Sequence, residues 1–155
     1  KSVSEMDFYM EQTLFVVSFL VASMLFGAML FFSFLVAPIT FIKLEAKPAG
    51  QLIRSIFPHY YLIVIVFSLI PTVLLTLANH TSAILMLVIA LSGLFSRQSL
   101  IPKINNYRDA EIAGDKSAKS KFDRLHRLSV GINAGQIILL IVSIVNIFQT
   151  GLRHI

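Results

Sequence analysis

Hydrophobic positions along this chain gather into four long runs, Leu14 to Ile42, Tyr60 to Ala78, Ala83 to Ile101 and Leu128 to Phe148, separated by short polar stretches. A bilayer core of about 30 Å asks for about 20 consecutive, mostly apolar residues per helix. Each run meets that length, and no soluble fold of this size buries all four. The pattern predicts an all-α integral membrane four-helix bundle, one domain over 1–155, with spans at about 12–42, 58–78, 82–104 and 121–150.

The interruptions predict how the spans join. The first run covers about 43 Å at the helical rise, so it tilts or kinks, and Pro38 offers the kink. It is too long for the apolar part of a signal peptide and follows the acidic residues Glu5, Asp7 and Glu11, which predicts a retained helix. Beyond Glu45-Ala46-Lys47-Pro48, residues 49–57 place Leu52, Ile53, Ile56 and Phe57 on one face and Gln51, Arg54 and Ser55 on another. That spacing predicts a short interfacial helix with Pro48 in its first turn. Pro58-His59-Tyr60-Tyr61 then suits headgroup depth. Residues 102–127 are polar yet rich in helix formers, which predicts helical extensions of spans three and four. The turn falls at Gly114-Asp115, Asp115 caps the last helix, and Asp123 and Arg127 stand at i, i+4.

Composition agrees: 56% of residues are hydrophobic and 14% charged, with a mean hydropathy of +0.80. There is no cysteine, which excludes disulfides, thiolate metal sites, Fe–S clusters and cysteine nucleophiles. The net charge is +5, and Lys43, Lys47, Arg54, Arg97, Lys103, Arg108, Lys116, Lys119, Lys121, Arg124 and Arg127 follow spans one and three, leaving Lys1 and Arg153 for the other side. This split predicts that 43–56 and 102–127 are cytoplasmic and that both termini lie outside. Basic residues at span ends fit anionic lipid headgroups rather than nucleic acid. Lipids and other membrane subunits are the expected partners.

Polar side chains turn away from hydrocarbon, so their spacing shows which faces meet. Ser68, Thr72, Thr76 and Asn79 follow helical spacing in span two, as do Ser92, Ser96 and Ser99 in span three and Ser129, Asn133, Gln136 and Ser143 in span four. Span one offers small residues instead, Ser23 with Gly27 and Ser33 with Ala37, suited to close approach. The seam reads first as interhelical glue and second as a path for a small polar solute.

At the cytoplasmic boundary a candidate polar site gathers His59, Tyr61, Asp123, His126, Ser129, Asn133 and Gln136, with Arg54, Arg124 and Arg127 placed for a headgroup or another anion. His126 shares a helix face with Ser129, Asn133 and Gln136, and is expected within reach of 59–61. His80 and His154 read as plain outer-surface residues. Two histidines without further ligands do not make a metal site, so neither metal nor cofactor is expected, with haem or copper on His126 and His59 as the alternative. Met24, Met29 and Met86 read as core filling rather than copper ligands. No phosphate loop, zinc spacing or hydrolase constellation can be assembled, so catalytic residues are expected to be absent.

The string Phe26-Gly27-Ala28-Met29-Leu30-Phe31-Phe32-Ser33-Phe34-Leu35-Val36-Ala37-Pro38 is followed by Ala49-Gly50 and Phe57-Pro58-His59-Tyr60-Tyr61. With Phe122-Asp123-Arg124-Leu125-His126-Arg127-Leu128-Ser129 and Asn133, these resemble an uncharacterised four-span family that includes eukaryotic transmembrane protein 205. The resemblance runs over residues 15–150 and implies the four-span topology, a bacterial domain of unknown function set in the inner membrane, and no reaction. Pro38, Pro58, His126, Ser129 and Asn133 carry over as motif positions. The layout is more distantly similar to copper-resistance D-type proteins and haem-dependent protoporphyrinogen oxidases, but this chain lacks their intramembrane histidine pair. The expected role is therefore a non-enzymatic accessory subunit or small transporter-like bundle, with a haem- or metal-dependent membrane oxidoreductase as the alternative.

Overall fold

The computed structural model describes residues 3–153; Lys1 and His154 lie outside them. Helix α1 (Val3–Phe31) runs through a π-helical turn (Phe32–Val36) into α2 (Ala37–Lys43). Helix α3 (Ala46–Leu77) returns, α4 (Ser82–Phe95) passes through a second π turn (Ser96–Leu100) into α5 (Ile101–Ile112), and α6 (Lys116–Arg153) closes the bundle. Four stretches are long and apolar enough to cross a bilayer: Glu5–Lys43, Ala46–Leu77, Ser82–Ile112 and Lys116–Gly151. The fold is an all-α four-helix membrane bundle.

Each rod buries one narrow stripe, stepping by threes and fours as in a coiled-coil seam. The stripes are Phe15, Ser18, Ala22, Leu25 and Met29 on α1, and Tyr61, Val64, Ser68, Pro71 and Leu75 on α3. On the third rod they are Met86, Ile89, Gly93, Ser96 and Leu100, and on α6 Ser129, Gln136, Leu140, Ser143 and Ile147. Hydrocarbon solvates the remaining apolar surface, so a stripe two residues wide suffices where a soluble helix would bury more. Met29 and Met86 are core residues as expected, whereas Met24 is 62% exposed.

Both π turns stand just ahead of a proline. Pro38 and Pro102 each occupy the second position of the helix that follows. A proline lacks the N–H its turn needs, and its ring crowds the carbonyl four residues back. Wider bonding, Ala37 N–H to the Phe32 carbonyl and Ile101 N–H to the Ser96 carbonyl, admits the ring without ending the rod.

Both tight turns use a left-handed residue after the helix. Asn79 has φ 50 and Gly114 φ 102. The His80 N–H bonds the Leu75 carbonyl (2.8 Å) and the Asn79 N–H that of Thr76 (3.0 Å); Asp115 to Ala110 and Gly114 to Glu111 repeat the pattern, both at 3.0 Å. Asp115 then caps α6, its Oδ1 accepting the Ser117 N–H at 2.8 Å. Hydrogen bonds from Ser117 hold this exposed carboxyl below the usual carboxylate range.

Three local expectations change. Residues 49–57 are helical but not a separate interfacial helix: they form the opening turns of α3, which runs on through Pro58 and Pro71. A proline costs a long helix one bond rather than its continuity, and Arg97 Nε donates to the Pro58 carbonyl at 3.1 Å. Gly27 faces outward, with nothing within 4 Å of where its Cβ would stand. Close approach occurs at Gly93 instead, where a Cβ would lie 3.2 Å from Val64 Cγ1 and 3.3 Å from Ile65 Cγ1. Asp123 and Arg127 make no ion pair; among the described residues the pairs are Arg54–Asp109 and Arg108–Glu111, both 2.7 Å.

Candidate functional site

A hydroxyl on a helix can return its proton to the carbonyl one turn back, and in hydrocarbon that local bond is the cheapest way to satisfy it. Most of the polar seam does this. Ser68 bonds Val64 (2.6 Å), Thr72 bonds Ser68 (2.8 Å), Thr76 bonds Thr72 (2.7 Å), Ser129 bonds His126 (2.8 Å) and Ser143 bonds Leu139 (2.8 Å), each at a backbone oxygen of its own helix. These residues do not glue one helix to another.

Asn133 and Gln136 of α6 do. Asn133 Oδ1 accepts the Tyr60 hydroxyl at 2.6 Å, and its Nδ2 donates to Ser33 Oγ at 2.9 Å. Gln136 Nε2 donates to Ser92 Oγ at 2.9 Å and reaches the Ile89 carbonyl at 3.4 Å. Ser33 sits in the first π turn. Ser96 opens the second, and the Tyr61 hydroxyl is turned towards it. One polar layer thus ties all four rods, with each π turn presenting a serine to one of two consecutive tyrosines.

Aromatic packing fixes the tyrosines. Tyr60 stacks on Phe32 (centroids 4.4 Å apart, planes 30° apart) and meets Tyr61 edge-on at 5.2 Å, while Tyr61 stacks on Phe57 at 6.0 Å. Both are buried in the bundle. Interhelical bonds in membrane proteins average about 0.6 kcal/mol, with about 1.7 as the upper end. A Tyr60→Phe, Asn133→Ala double-mutant cycle should fall in that range; zero coupling in detergent unfolding would show that the layer does not bind helices together.

The histidines stay outside this layer. His59 is exposed, its Nδ1 3.1 Å from the Ser55 carbonyl. His126 is exposed and stacks on Phe122 (5.7 Å, 9°), whose ring also carries the Arg108 guanidinium at 5.3 Å. His126 does lie on the face of Asn133, two turns closer to the α5–α6 turn, where that face is open. Asp123 and Arg127 line a shallow surface depression with Lys116, Lys119 and Ser120. Arg124 is exposed. Arg54 is engaged by Asp109 and by the Asn105 carbonyl at 3.4 Å. Of the candidate residues, Tyr61, Asn133 and Gln136 belong to the layer, and Ser129 is buried one turn from Asn133. Among the described residues no three His, Asp or Glu side chains gather as a metal site.

His80 is not a plain surface residue. Its Nδ1 accepts the Ser82 N–H (3.2 Å), which leaves the proton on Nε2 for Thr150 Oγ1 (3.0 Å), and Phe15 meets the ring edge-on at 5.3 Å. Partial burial lowers this imidazole below its ordinary value of 6.5. The folded state therefore favours neutral His80, and its stabilising contribution is full above that value and lost as pH falls below it. Thermal stability should drop on acidification from neutrality to about pH 5, and His80→Gln should flatten that part of the profile. Beside it, an apolar groove of about 350 Å³ between α1 and α6 is lined by Phe15, Val16, Phe19, Leu20, Ile147 and Phe148, with Gln12 and Gly151 at its end.

Fold and layer together define a four-span helical membrane protein whose interior amides hold its own helices. The chain belongs to the DUF4149 family, a domain of unknown function, whose pattern matches residues 20–112. The match takes in Ser33, Tyr60, Tyr61, Ser92 and Ser96 and ends before α6. No curated protein and no solved structure matches the chain.

Proposed function

We propose that the chain is a non-enzymatic accessory subunit that packs within a larger membrane complex. The observation that carries this reading is how the seam spends its polar groups: hydroxyls bond their own helices, and Asn133 and Gln136 bond neighbouring helices. A transporter-like bundle would hold such groups ready for a solute. Wide apolar flanks, including Phe31, Phe34, Phe41, Leu77 and Phe148, are available to lipid and to sister subunits. The same proposal places the chain with the family of transmembrane protein 205 and, from the split of its basic residues, in an inner membrane with 43–56 and 102–127 in the cytoplasm and both termini outside.

Extraction in mild detergent, followed by native gel and mass spectrometry, should recover the chain in an assembly with other membrane proteins. Consistent recovery as a lone monomer would count against the proposal, and a Soret band would point to haem held by His126 and His59. Orientation has its own test, because the chain has no native thiol. A Ser117→Cys variant should resist an impermeant thiol reagent on intact cells, and labelling there would reverse the topology.

A further inference from the structure

Heptad steps put Lys119, His126 and Asn133 on one line of α6. Asn133 fixes what that line faces, since its amide reaches Ser33 on the first rod and Tyr60 on α3. Nearer the α5–α6 turn the first rod continues as α2, which packs on α3 rather than along α6. This side of α6 is therefore left open, and Lys119 and His126 are exposed on it. Here Lys116, Lys119, Ser120, Asp123 and Arg127 line the shallow depression, whose volume of about 300 Å³ is at the lower end of the range for small-ligand sites.

Three cations meet one carboxylate in that depression. Lys119 and Arg127 stand four residues to either side of Asp123, the spacing of a helical ion pair, yet among the described residues the ion pairs are Arg54–Asp109 and Arg108–Glu111. The cations are uncommitted and outnumber the acid. Arg127 directly precedes the apolar run that begins at Leu128, which sets it at the level where hydrocarbon gives way to headgroups. Three residues further along the same face, Val130 is 56% exposed. The face thus passes from cationic to apolar as it enters the bilayer.

We propose that this depression binds the phosphate of one anionic phospholipid, with an acyl chain lying along α6 past Val130. Lysine and arginine both donate to phosphate oxygens, arginine in a bidentate fork, and the excess of positive charge favours a net anion over a zwitterion. Soluble phosphate meets the cations but has nothing to place against Val130. Binding needs no partner subunit and holds for either orientation of the chain.

The test is native mass spectrometry of the full chain in mild detergent, titrated with dioleoylphosphatidylglycerol or dioleoylphosphatidylcholine. The first phosphatidylglycerol should bind more tightly than phosphatidylcholine, and Lys119→Gln with Arg127→Gln should weaken it about thirtyfold. Lys103→Gln with Lys121→Gln removes the same charge from the α5 side, where Lys121 lies over the Tyr107 ring, and should change the affinity less than about twofold. Equal binding of the two lipids overturns the site. An equal loss in both double variants also overturns it, by showing diffuse attraction to the whole basic end. Inorganic phosphate in large excess should leave the lipid bound; displacement would assign the depression to soluble phosphate and overturn the lipid.

Discussion

Tyr61→Ala should destabilise the bundle by about 3–5 kcal/mol, the range for emptying a well-packed aromatic site. Tyr61 is 2% exposed and heads the fully buried side chains in size. It is wedged between Phe57 and Tyr60 and faces the second π turn, so backbone pinned by Pro58 and Pro102 limits collapse into the void. Tyr61→Phe keeps the ring and should cost a fraction of that, separating packing from the hydroxyl. Unfolding in detergent with increasing SDS measures both. A cost for Tyr61→Ala under about 1 kcal/mol would mean that the ring cluster is looser than its geometry implies.

The second large effect is expected from the opposite change. Gly93→Val forces a branched side chain into the contact of α4 with α3, where even a first carbon stands 3.2 Å from Val64 Cγ1 and 3.3 Å from Ile65 Cγ1. Overpacking of this kind costs about 1–3 kcal/mol. If the clash is the cause, adding Val64→Ala should restore part of the loss. Failure of that rescue would place the cost in the helix backbone rather than in the contact.

Run length and hydropathy suffice for the four spans and their turns, because a bilayer imposes length and polarity directly on the chain. Asn133 and Gln136 were legible as well: their spacing put them on one face, and amides are long enough to cross to a neighbour. The partners of the hydroxyls were not legible, since a serine facing another helix and one bonding its own carbonyl have the same spacing. The π turns were hidden for a related reason. Five-residue and four-residue bonding leave nearly the same apolar pattern, and a proline alone does not mark the place, since Pro58 and Pro71 stand inside α3 without a π turn. His59 and His126 stand on suitable helices, but the pattern carries no information on where neighbouring rods cease to cover them.

Each π turn also has a meaning for how the gene can vary. A residue inserted into an α-helix rotates everything beyond it by about 100°, and a π turn absorbs that rotation inside the rod. Ser33 and Ser96 then point into the bundle on segments that continue in register with their prolines. Losing one codon within 32–36 or 96–100 would erase a bulge and leave α2 or α5 on its present face. Length differences among relatives should therefore collect at these two places inside the spans, rather than only in the turns between them.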